Sequence, residues 1–197
     1  MATIPVVQNK YEEWKLPTRG ASAMISLIIG ETALFSIFVV AYIFYIGKSI
    51  SGPQPAQVLD IPVFMTVCLW SSSLTIWFAE RAIEHNRMKR FAAFWGLTIL
   101  LGGIFLGGTA LEWQRLIYHD GLTISTNLFG TTFYSLVGLH ASHVVVGLIM
   151  LSAVFIFTLT GHVQQKHAYN IKTLALYWHF VDAVWVVVFT VVYLLGR

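Results

Sequence analysis

Five long apolar runs dominate this chain, and each is long enough to cross a lipid bilayer. They lie at about residues 21–46, 62–82, 91–113, 128–160 and 173–195. A spanning helix needs about 20 mainly apolar residues. Inside the hydrocarbon no water pairs with backbone groups, so each run must satisfy its own and be helical. The fold class expected is therefore all-α, an integral membrane bundle of five transmembrane helices. Only 11% of the 197 residues are charged, against roughly 25% in soluble chains, which is too few to solvate a globular surface. The connections are short, so residues 21–197 read as one transmembrane domain after an N-terminal segment, 1–20. The fourth run exceeds a hydrocarbon core of about 30 Å at helical rise, which predicts tilt or extension into an interface.

Direction follows from the basic residues. Nine of twelve (Lys10, Lys15, Arg19, Arg81, Arg87, Lys89, Arg90, Lys166 and Lys172) fall on one side of this topology. Lys48, Arg115 and Arg197 fall on the other. Positively charged loops stay inside, so the N-terminus is expected in the cytoplasm and the C-terminus outside. The opening MATIPVVQNKYEEWKLPTRG has no apolar core and no small-residue cleavage site. No removable signal peptide is expected, and the first span directs insertion.

Several function classes drop out. The net charge of +3 is accounted for by that asymmetry, and no basic–aromatic interleaving marks a nucleic-acid partner. Cys68 is the single cysteine, so no intrachain disulfide forms; it reads as a small core residue. There is no glycine-rich phosphate loop, no nucleophile elbow and no CxxC, and no catalytic residue is assigned.

What remains is a set of ionisable groups in the wrong solvent. One at mid-bilayer costs roughly 2.5–3.5 kcal/mol and asks for a partner or a role. Glu31 lies in the first span, Glu112 ends the third in ALEWQR, His140 and His143 centre the fourth in GLHASHVVVG, and His179 and Asp182 lie in YWHFVDAVW. His140 and His143 are three apart and share a helix face, as do His179 and Asp182. If those faces meet, one Asp–His cluster joined by Glu31 satisfies them all. Such a cluster could hold helices in register, handle protons, contact lipid headgroups or, with His140 or His143 opposite His179, ligate a b-type haem. The fifth span has one histidine in its interior, unlike di-haem cytochromes, and nothing fixes a three- or four-ligand metal site.

His85, His119, His162 and His167 read as turn residues. Trp113, Tyr118, Tyr169, Tyr177 and Trp178 read as an interfacial aromatic belt. Gly103 and Gly107 form a G-x-x-x-G pair, the spacing at which helices approach closely in lipid.

Four segments together resemble a known family. FGTTFYSLVGLHASHVVVGL resembles the F-H-x-x-H-V segment of subunit III of the haem–copper respiratory oxidases, and YWHFVDAVWVVVFTVVYLLG its closing W-H-F-V-D-x-V-W segment. GETALFSIFVVAYIF is similar to the span with that subunit's buried glutamate, and ALEWQR to its E-W element. Order and spacing agree from Glu31 to Gly196. With five spans rather than seven, the chain resembles the short bacterial form.

The resemblance implies a non-redox subunit of a bacterial inner-membrane cytochrome c oxidase, in an aerobic respiratory chain. It would pack against subunit I, with subunit II and small subunits nearby, and cytochrome c or quinol would act on other subunits. It would stabilise subunit I and support proton uptake. Haem and copper would sit on partner subunits, none on this chain, and bound phospholipid is compatible. Glu31 would be the family's carbodiimide-reactive carboxylate, and Glu112, His140, His143, His179 and Asp182 would hold the other motif positions. A quinol oxidase, an accessory protein of nitric-oxide reductase, a stand-alone b-type cytochrome and a small proton-coupled transporter remain as alternatives.

Overall fold

The computed structural model describes residues 18–196; the expectations for Lys10, Lys15, Arg197 and most of segment 1–20 fall outside them. Among the described residues the regular structure is helical: α1 (Arg19–Tyr45), a single turn α2 (Pro55–Val58), α3 (Val63–Glu84), α4 (Met88–Tyr118), α5 (Leu128–Leu159) and α6 (Ala168–Phe189). A 3₁₀ turn, Gln165–His167, leads into α6, and a π turn, Thr190–Leu195, continues it. All but α2 are long and apolar enough to cross a membrane, as the sequence implied.

The ends differ from hydropathy for a simple reason. α4 runs several residues beyond its apolar window at each end, through Met88–Arg90 and Gln114–Tyr118. Helical hydrogen bonding does not stop where polarity begins. At 1.5 Å per residue, α4 and α5 are each about 45–50 Å long, so both must tilt or leave the hydrocarbon.

α6 is the axis of the bundle, packed against α1, α3 and α5, while α4 closes the other side between α3 and α5. The core is aromatic, with Trp95, Trp178, Trp185, Phe91, Phe105 and Phe133 fully buried. Trp178 occupies a socket made by two glycines. A methyl at Gly102 of α4 would lie 2.7 Å from its ring, and one at Gly147 of α5 would lie 2.8 Å from it. The stripe Trp95, Thr98, Gly102, Phe105 and Thr109 is the buried face of α4, repeating at the helical period. Gly103 and Gly107 lie off that stripe. A methyl at either would meet no atom within 4 Å, so the G-x-x-x-G pair packs against no other helix among the described residues.

Tyr177 and Trp178 correct another expectation. α6 begins at Ala168 rather than near 173, which carries both into the interior, 3% and 0% exposed. Tyr118 and Tyr169 stay exposed at helix ends, as an interfacial belt requires.

The termini of the helices are fixed locally. Asn127 caps α5, accepting from the Gly130 N–H at 2.8 Å, while its amide donates to the carbonyls of Ser51 and Pro53. This ties the α1–α3 connection to α5. Between α3 and α4 the chain turns through Asn86 at φ 56. The Arg87 N–H donates to Ala82 O at 2.8 Å and the Asn86 N–H to Ile83 O at 3.0 Å, the paired bonds of a Schellman cap. Alanine at 86 lacks asparagine's tolerance of the left-handed region. Asn86→Ala is expected to cost about 1 kcal/mol and Asn86→Gly close to nothing, read as the thermal midpoint of the purified protein.

One end of the bundle gathers Thr18, Glu84 and Tyr169. The Thr18 N–H reaches Tyr169 Oη at 3.5 Å, and Lys172 pairs with Glu84. The basic residues flanking α1, α3, α4 and α6 therefore share this end.

Candidate functional site

The expected Asp–His cluster joined by Glu31 divides into two separate pairings, and Glu112 forms a third of its own. The first joins α1 to α5: Glu31 Oε2 lies 3.0 Å from His143 Nε2. His143 Nδ1 lies 2.8 Å from Leu139 O. A carbonyl only accepts, so Nδ1 carries a proton. The Nε2–Oε2 contact then contains one further proton, held either by Glu31 as a neutral acid or by an imidazolium opposite a carboxylate. Both arrangements are neutral overall, which is why the pair is tolerable in lipid. Phe35 covers it at 5.0 Å from the His143 ring. The pair is not sealed: the Glu31 side chain keeps 24% of its exposure.

The second pairing joins α3 to α6 through Ser73, which sequence reasoning did not single out. Its hydroxyl donates to Asp182 Oδ2, so its oxygen is left to accept from His179 Nδ1, 3.2 Å away. Among the described residues Asp182 Oδ1 has no hydrogen-bond partner. Two further hydroxyls of α3 continue the seam: Ser72 accepts from Trp178 Nε1 at 2.9 Å, and Thr66 from Trp185 Nε1 at 3.2 Å. Trp178, Asp182 and Trp185 are spaced four and three apart, one stripe of α6 facing one hydroxyl-bearing stripe of α3. That spacing was visible in the sequence; the hydroxyls opposite were hidden because serine and threonine are common in membrane helices.

The third lies at the opposite end from Lys172. Tyr193 Oη, in the π turn, donates to both oxygens of Glu112 at 3.1 and 3.2 Å. Glu112 and Arg115 line a cavity of about 370 Å³ with Met65, Phe105, Thr109 and Trp185. Arg115 leaves Glu112 to Tyr193 and binds Asp60 and the Val58 carbonyl, the latter at 2.6 Å.

His140 joins none of these. It is 1% exposed, stacked on Trp185 at 5.0 Å, with Phe105 edge-on at 5.9 Å. Neither ring nitrogen has a hydrogen-bond partner among the described residues. Its register on α5, three residues from His143, turns it inward onto aromatic rings. An axial haem bond needs an imidazole nitrogen that faces open space, and both nitrogens of His140 are covered by protein. His143 commits both of its nitrogens within the bundle. These histidines do not fit a haem. Among the described residues no three His, Cys, Asp or Glu side chains gather as a metal-binding group.

Fold and pairings together define a multi-pass α-helical membrane protein whose intramembrane acids find hydrogen-bond partners inside the bundle. Residues 20–197 match the family model of cytochrome c oxidase subunit III, and the chain belongs to that family, the third subunit of the haem–copper oxidases. It is 37% identical over 169 residues to the cytochrome c oxidase subunit 3 of Bacillus sp. strain PS3, covering 85% of this chain and 81% of that one. The Bacillus subtilis protein of the same name is 35% identical, covering 85% and 82%. The cytochrome bo(3) ubiquinol oxidase subunit 3 of Pseudomonas aeruginosa is 30% identical, covering 86% and 81%.

Proposed function

We propose that this chain is the non-redox third subunit of a bacterial terminal oxidase, seated in the cytoplasmic membrane with its N-terminus inside. Residues 21–197 act as one five-helix unit and residues 1–20 as a cytoplasmic segment. The unit packs against subunit I, near subunit II and small subunits, stabilises subunit I and supports its proton uptake. The haem and copper chemistry takes place on those partners, phospholipid fills the remaining surface, and cytochrome c delivers electrons elsewhere in the complex.

The Glu31–His143 pair carries this reading. It holds one shared proton at neutral total charge between two helices, with Glu31 partly open at the bundle surface. A group so placed can exchange a proton with a neighbouring subunit without exposing net charge to lipid. The Ser73 and Glu112 pairings read as register devices, since each ties two helices of the same chain. A quinol-oxidising complex is the second reading, favoured by the likeness to the Pseudomonas aeruginosa protein, whose name includes a quinol donor.

The test is Glu31→Gln in the assembled complex. The glutamine amide can donate to His143 Nε2 and keep the helices paired, but it has no exchangeable carboxyl proton. First turnovers of oxygen reduction are expected near normal, with activity decaying faster in sustained turnover. Outright loss of initial oxygen reduction in an intact complex would give Glu31 a more direct part. Co-purification of a cupredoxin-type subunit with a dinuclear copper motif selects cytochrome c over quinol, and a haem Soret band on the isolated chain would overturn the non-redox role.

A further inference from the structure

At the basic end of the bundle, the last turn of α3 and the first of α4 enclose a pocket of about 270 Å³. Phe78, Arg81, His85, Arg87, Arg90 and Phe94 line it. The cap through Asn86 sets Arg87 across from Arg81, so the arginines converge from both helices. α3 carries two carboxylates at this end, Glu80 and Glu84, and both interact with Lys172 of α6, Glu84 as a direct ion pair. Among the described residues, no carboxylate lies within salt-bridge distance of Arg81, Arg87 or Arg90.

For Arg87 and Arg90 the pocket is also at the wrong pole of a helix, whereas Arg81, in the last turn of α3, sits at a favourable one. α4 begins here with Arg87 as its N-cap, no side-chain cap bond and no acidic residue in its first turn. The first-turn N–H groups of α4 and the positive end of its dipole lie on the stretch of chain that carries Arg87 and Arg90. Arg87 and Arg90, gathered there beside Arg81, leave an excess of positive charge that an anion would offset. Guanidinium groups match a phosphate's oxygens through paired N–H donors.

The walls name the rest of the ligand. Phe78 stacks on Phe94 at 5.4 Å and is 40% exposed, and Arg81 lies over the Trp77 ring at 4.3 Å. An apolar aromatic flank thus runs from the arginines down the outside of the membrane-spanning part of α3. We propose that this pocket binds the headgroup phosphate of an anionic phospholipid, its acyl chains lying along Phe78 and Trp77. The site stands whichever electron donor the complex uses.

The test uses the full chain with whatever subunits co-purify, in nanodiscs that mix phosphatidylglycerol and phosphatidylcholine of identical acyl chains. Retained lipid is read by native mass spectrometry. The protein is expected to keep phosphatidylglycerol in preference to phosphatidylcholine. Arg87→Gln with Arg90→Gln is expected to weaken that preference by about twentyfold at an unchanged melting temperature. Lys89→Gln, a neighbouring exposed cation outside the pocket, should leave it unaltered. Each of three results overturns the proposal: no preference for phosphatidylglycerol, an unchanged preference in the double variant, or displacement of the lipid by inorganic phosphate alone. Loss of a partner subunit from the double variant with lipid retention intact also overturns it, making the pocket a protein contact.

Discussion

Gly147→Ala is expected to lower the thermal midpoint of the protein and the amount of it recovered in the assembled complex. The added methyl would stand 2.8 Å from two carbons of the Trp178 ring, inside van der Waals contact. The ring cannot retreat, because it already packs on Gly102, where even a methyl would stand 2.7 Å from its other edge, and its Nε1–H is bonded to Ser72. Overpacking a close-packed site typically costs about 1–3 kcal/mol. Gly103→Ala, one residue from Gly102 on the open face of α4, should cost nothing measurable. Gly147→Ala combined with Trp178→Phe should be less damaged than the separate losses imply, since the smaller ring vacates the space. Strict additivity in that cycle would mean the indole is not what the glycine accommodates.

The second large effect is expected at Ser73. Ser73→Ala removes the one donor that reaches Asp182 among the described residues and strands a carboxylate whose Oδ1 has no partner among them. Leaving a buried polar group unpaired costs about 1–3 kcal/mol, and more where it is charged. Replacing both partners with apolar groups is far cheaper, so Ser73→Ala with Asp182→Leu should recover much of the lost melting temperature. If that pair is as unstable as Ser73→Ala alone, Asp182 has a role beyond its bond to Ser73.

The five helices were legible because hydropathy in a bilayer is close to a structural rule. The suspicious residues were legible for the same reason, since an acid in an apolar run stands out. Their partners were not. Spacing places His179 and Asp182 on one face of α6, but the rotation of α6 against α3 decides whether that face meets a histidine or a serine. It meets Ser73, and the histidine of the next helix pairs with Glu31 from α1 instead. His140 shows the same limit: three residues from His143, it turns into a cage of Phe105 and Trp185. For the glycines the helices of this chain differ from the spacing motif by one residue of helical phase. The spacing motif picked Gly103 and Gly107, while the indole and Met65 select Gly102 and Gly108, and no pattern within α4 alone reveals which stripe its neighbours will fill.

The pairing of α1 with α5 has a consequence for how the chain is made. Glu31 and His143 are 112 residues apart, and α1 buries only Phe35 and Tyr42, against the last-made half of the bundle. At about 5–20 residues per second of synthesis, α1 waits in the membrane on the order of ten seconds before its partner helix exists. During that interval its glutamate has no histidine to share a proton with. α1 leaves the ribosome well before α5, and is thus locked in place only after most of the bundle has been made.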